Sequence, residues 1–191
     1  GGEYGHDAAT VSSQAGAFAE GMQASKVIPT YKHFPGLGRV KDNTDTSAGV
    51  VDSTTNRLPD AAVGVFANAI AAGAQVIMVS SATYSLIDPS APAVFSSTIV
   101  TDMLRREMGF SGVVITDDVS AAVQVQDVSA GDRAVRAIRA GCDLVLASAD
   151  PTVAADMVKA LIAAAQSDPA FAARVDESAT RVLALKGGLQ S

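Results

Sequence analysis

Val27-Ile28-Pro29-Thr30-Tyr31-Lys32-His33-Phe34-Pro35-Gly36-Leu37-Gly38 is an apolar run that ends on two reactive side chains and is stopped at once by proline and glycine. A polar loop follows, to about Pro59, and carries Asp42, Asn43 and Asp45. A strand that delivers protonatable groups at its end, followed by a polar loop, is how an α/β active site looks in sequence. The loop is longer than most connections in compact domains, which marks function or disorder. The expectation is a mobile loop that brings an acid to the strand end.

Working outward, the same unit recurs. Gln75-Val76-Ile77-Met78-Val79-Ser80, Val113-Val114-Ile115-Thr116 and Leu144-Val145-Leu146-Ala147 are short continuous apolar runs, as expected of parallel strands buried on both faces. Between them the apolar residues fall at helical spacing: Ala62, Val65, Phe66 and Ile70 from Pro59 to Ala72, then Ile99, Met103 and Leu104 after Ser96 or Ser97, then Ser129 to Ala140. A helix over Asp7–Ser25 precedes the first strand, and helices over Thr152–Gln166 and Ala170–Leu185 close the chain. Strands alternating with helices imply a parallel sheet with right-handed crossovers. Its chemistry belongs at the C-terminal strand ends. A closed (β/α)8 barrel needs about 250 residues, so about four βα units make half of a TIM-type barrel, either a fragment of a larger barrel or a half-barrel that pairs with something. We read residues 1–191 as a single domain. The two outer strands would leave open edges that invite self-association.

The 191 residues, 48% of them hydrophobic and 18% charged, belong to a globular chain with a core. A net charge of −6 argues against nucleic acid, which needs a basic face. No apolar run is long enough to span a bilayer. The single Cys142 leaves no internal disulfide and says little about compartment. Cytoplasmic and cell-envelope locations both stay open.

Asp117 follows the third strand directly. It reads either as a nucleophile or general base, or as a helix cap, a job Asp118 or Ser120 could take instead. Asp42 and Asp45 supply a second carboxylate. Hydrolysis of a glycosidic bond needs one ionised and one protonated carboxyl group. Asp42 reads better as a solvated loop acid, whereas for Asp45 the two readings are even. Side chains alternate along a strand, so Lys32 and His33 cannot both point inward unless the strand bends. They are either donors to sugar hydroxyls or a solvated lysine beside a packed histidine. The chain has no G-x-S-x-G elbow, P-loop or H-E-x-x-H. Asp42-Asn43-Thr44-Asp45 lacks the spacing, glycine and closing glutamate of a calcium loop. No cofactor or metal is implied.

Lys32-His33-Phe34-Pro35-Gly36-x-Gly38, together with Gly109-Phe110-x-Gly112-Val113-Val114-Ile115-Thr116-Asp117-Asp118, resembles glycoside hydrolase family 3, in its single-barrel β-N-acetylglucosaminidase branch. Asp88-Pro89, Ala140–Leu146 and Arg181–Lys186 add to the resemblance. It implies a (β/α)8 TIM-type barrel of which this chain, about four βα units, is the C-terminal part, the first half lying outside it, and a carbohydrate substrate. It also implies a retaining mechanism that removes terminal N-acetylglucosamine through a covalent glycosyl-aspartate. Asp117 takes the nucleophile's place, and Lys32 and His33 that of the pair binding sugar hydroxyls. Asp118 and Asn43 are further substrate-binding candidates. Cell-wall recycling is a role of this branch, but muropeptide, chitooligomer and glycoprotein glycan all remain open as substrates.

The chain also departs from the family pattern. Leu37 replaces a histidine, and Asn43-Thr44-Asp45 stands where Asp-Ser-His carries the acid/base histidine. Asp45 therefore takes that position. Its expected pKa is raised by partial burial and by Asp117, while neutral Asn43 spares it a like charge and offers a hydrogen-bond donor. Gly2-Glu3-Tyr4-Gly5 stands where the family has an arginine that touches substrate. The alternative to an active hydrolase is a non-catalytic barrel fragment or subunit that binds glycan or a partner chain.

Overall fold

The computed structural model describes residues 4–188. Helix α1 (Ala8–Ala24) is capped by Asp7, whose carboxylate accepts the Thr10 N–H at 2.9 Å. It ends without a glycine. Lys26 takes a left-handed φ of 58°, and the Val27 N–H donates to the Met22 carbonyl at 3.0 Å, closing the helix in the Schellman manner. Strand β1 (Thr30–Phe34) starts later than the apolar run Val27–Phe34; Pro29 has no N–H to give to a ladder.

The segment expected to be a loop holds a two-residue strand, β2 (Val51–Asp52), before helix α2 (Ala61–Ala71). Asp60 caps α2 through the Ala62 N–H at 2.9 Å and also binds Arg39 at 2.8 Å, which ties the chain after β1 to the helix. Gly36 is needed here: its φ is 137°, and a Cβ would come within 2.8 Å of the Ala62 Cβ. After β3 (Val76–Val79), the chain forms an antiparallel pair, β4 (Thr83–Tyr84) and β5 (Asp88–Pro92). Ser96 caps the next helix by accepting the Ile99 N–H at 3.1 Å while donating to Asp88 at 2.5 Å. That helix, Thr98–Glu107, is π-helical. Then come β6 (Val113–Asp118), a 3₁₀ turn at Val123–Val125, helix α3 (Ala130–Ala140), β7 (Leu144–Leu146), and helices α4 (Ala154–Ser167) and α5 (Pro169–Gly188).

The main sheet has the order β1-β3-β6-β7 with every pairing parallel, so the described residues form four βα units of a TIM-like fold. The inner strands carry the core. Ile77, Val79, Val113 and Val114 are buried, and Ile77, Val79 and Val114 pack with Phe34, Val63, Ile99, Val100 and Leu104. The outer strands are more open, with Leu144 of β7 36% exposed. The second sheet, β2-β4-β5, is joined to the main sheet's C-terminal ends. The Ser80 N–H donates to Phe34, and the Val94 N–H donates to Ser80. No helix among the described residues is long and apolar enough to cross a membrane.

Candidate active site

Asp117 is the penultimate residue of strand β6, and His33 that of β1. The His33 Nε2 is 3.8 Å from the Asp117 Oδ2, with the two side chains 22% and 15% exposed. The β1–β3 ladder slips between Tyr31 and Phe34. Burial alternates up to this slip, with Lys32 exposed and His33 half-buried, and the buried Phe34 breaks the alternation. Lys32, though exposed, is close enough to act electrostatically on both His33 and Asp117.

The charges of the pair are set by burial. Loss of water pushes the Asp117 carboxyl above its ordinary range, and the negative charge of Asp45 adds to that push. His33, the Asp118 N–H that donates to Asp117 at 2.9 Å, and Lys32 oppose it. Burial likewise lowers His33, against the pull of Asp117. The site therefore holds a carboxylate that ionises reluctantly beside a histidine that protonates reluctantly.

Asp45 faces this pair from the loop, near enough to perturb both Asp117 and His33. Three expectations about it need correction. The partial burial is not found, since Asp45 is exposed. The loop is also pinned rather than loose. Its Thr44 and Asp45 carbonyls accept the Gln124 and Val123 N–H groups at 3.1 and 3.2 Å. Asn43 gives Asp45 no donor. Its Oδ1 instead accepts the Asp45 backbone N–H at 2.8 Å, and its carbonyl accepts from Thr46 and Ser47. It is the residue that folds the turn, not one whose amide oxygen is free for substrate. Asp42 is exposed.

Asp118 is likewise reassigned. One oxygen accepts from the Ser120 N–H, the Ser120 hydroxyl and the Ala121 N–H; the other accepts from the Ser148 N–H, the Ser148 hydroxyl and the Ala149 N–H. Against the upward push of burial, these bonds hold its pKa far below the usual carboxylate range. Both oxygens are committed to protein donors, so Asp118 clamps the loop after β7 to the tip of β6 and keeps Asp117 in place. It does not cap α3; Ser129 does.

Two further residues escaped the sequence reading. Asp52 is buried and accepts from the N–H and hydroxyl groups of Thr54 and Thr55, a self-contained turn in the same loop. Gln124 is buried and hydrogen-bonds both ways to Val50. A lone amide between valines was its only signal.

A family model, that of the glycosyl hydrolase family 3 N terminal domain, matches residues 2–185. The chain belongs to glycosyl hydrolase family 3. The crystal structure of a β-N-acetylhexosaminidase from Beutenbergia cavernae is 61% identical and superposes with a TM-score of 0.95 over 97% of this chain and 54% of that one. An uncharacterized secreted glycosyl hydrolase of Arthroderma benhamiae is 34% identical over 98% of the chain and 54% of its own length. A β-hexosaminidase of Stenotrophomonas maltophilia is 33% identical over 75% of the chain and 42% of its own. The chain thus spans about half the length of these relatives. Gly2 and Glu3, part of the run that the resemblance sets against the family's arginine, lie outside the described residues.

Proposed function

We propose that this chain supplies the catalytic half of a retaining β-N-acetylhexosaminidase, acting as one unit over residues 1–191, with carbohydrate as substrate. The observation that carries the reading is the pair formed by Asp117 and His33, with the Asp45 loop facing it. The names of the relatives, β-N-acetylhexosaminidase and β-hexosaminidase, support the choice of sugar.

In this proposal the Asp117 carboxylate attacks the anomeric carbon. The glycosidic C–O bond breaks, and its electron pair goes to the leaving oxygen, which takes a proton from Asp45. A glycosyl-aspartate ester remains. Water then attacks the same carbon and gives its proton to Asp45, and the ester bond returns its electrons to Asp117. Two displacements retain the β configuration. His33 and Lys32 hold sugar hydroxyls and offset the charge of Asp117. Asp118 and Asn43 position the two acids. The edges β1 and β7 pair with further strands, and self-association is the form of pairing the chain alone can show.

The test is hydrolysis of aryl β-N-acetylglucosaminide against aryl β-glucoside, with the first-formed anomer followed by NMR. The proposal requires β product from the N-acetyl substrate and none from Asp117→Ala. An α product, or full activity in Asp117→Ala, would sink it.

A further inference from the structure

We infer that Gln124 is a positioning residue that holds the Asp45 loop in register with Asp117, an inference that rests on the acid/base reading of Asp45. The 3₁₀ turn Val123–Val125 follows the nucleophile strand and grips the opposite loop at both ends. At one end the Gln124 and Val123 N–H groups donate to the carbonyls of Thr44 and Asp45. At the other, the Gln124 Oε1 accepts the Val50 N–H at 2.8 Å and its Nε2 donates to the Val50 carbonyl at 3.2 Å. The amide thus pairs with Val50 as a neighbouring strand would.

The grip is buried. Thr44 and Val50 are each 3% exposed and Gln124 is 9%, so water cannot replace these bonds cheaply. The Asp45 side chain, by contrast, is exposed. No packing around the carboxylate orients it, and its place is set by the backbone that Gln124 and Val123 hold. The loop bearing the acid and the strand bearing the nucleophile are therefore one mechanical unit, joined at Thr44 and Asp45 by the backbone N–H groups of Gln124 and Val123 and at Val50 by the Gln124 side chain, which touches neither reacting atom. A proton donor displaced by about 1 Å loses on the order of 10²-fold in rate. Gln124 is built to prevent such a displacement.

The experiment compares the parent protein with Asp45→Ala, Gln124→Met and Gln124→Glu. Met keeps the volume and removes both amide bonds. Glu keeps the acceptor for the Val50 N–H but sets a carboxylate against the Val50 carbonyl. Each protein is assayed on two β-N-acetylglucosaminides, one with an acidic aryl leaving group that departs unprotonated and one with an alkyl group that needs the proton. The quantity compared is kcat/KM, which reports the bond-breaking half. Circular dichroism and Tm establish that each variant is folded at the assay temperature; if the Met variant is not, the Glu variant carries the comparison. For Gln124→Met the expected result is a loss of about 10²-fold on the alkyl glycoside, little loss on the aryl glycoside and little change in KM, parallel to Asp45→Ala. Gln124→Glu falls between parent and Met. If Asp45→Ala shows the leaving-group split but the Gln124 variants lose equally on both substrates, or lose nothing, Gln124 does not position the acid and the inference is overturned while the acid reading stands. If Asp45→Ala shows no split, the acid reading fails and this inference falls with it.

Discussion

In the proposed mechanism Asp117 has to be ionised to attack, yet it sits where ionisation is disfavoured. Its raised pKa means that the folded state binds the proton more tightly than the unfolded chain does. Between the ordinary carboxylate value, ~3.9, and the raised native value, stability therefore falls as pH rises, opposite to a salt-bridged aspartate. Asp117→Asn removes that penalty along with the nucleophile. We predict an activity loss on the order of 10⁴- to 10⁶-fold together with a higher Tm at pH 7, the gain shrinking as pH falls toward the ordinary carboxylate range. Thermal melts across pH check the sign. The same shift places the acid limb of the activity profile above that of an unperturbed aspartate. Sequence could not divide the roles of Asp117 and Asp118, because two adjacent acids look alike until their donors are known. The loops that bring Ser120, Ser148 and Ala149 to Asp118 make the difference.

Among the elements, the strands buried on both faces were legible, since Val76–Val79 and Val113–Thr116 could hardly be anything else once glycines bounded them. The β2-β4-β5 sheet was not. Val51-Asp52 and Thr83-Tyr84 are too short to show a period, and their pairing is long-range. The π-helix had the apolar spacing of an ordinary helix and was read as one. Nor was the strongest tie between elements legible. Asp143, its side chain fully buried, binds Arg105 of the π-helix and, at 2.9 and 3.2 Å, Arg174 and Arg181 of α5, while accepting the Val114 N–H. Against burial these partners hold its pKa down. Asp143→Ala would leave three guanidinium groups without their shared acceptor. The expected loss is about 3–5 kcal/mol of stability, read by urea unfolding, with the residual activity of the folded fraction unchanged in KM.

At the scale of the molecule, four parallel strands and their helices give one rim on which β1 and β6 set His33 against Asp117. Among the described residues the sheet has two outer strands, β1 and β7. Unpaired strand edges template association. In sedimentation, the 19.3 kDa chain is expected to show a concentration-dependent rise in mass; a monomer at every concentration would count against edge pairing. The account's central claim is that Asp117 becomes covalently glycosylated. The most direct measurement is mass-spectrometric peptide mapping after reaction with a slowly turned-over fluorinated N-acetylglucosaminyl donor. The account predicts one glycosyl adduct, on Asp117. An adduct on another residue, or none while the donor is consumed, would contradict it.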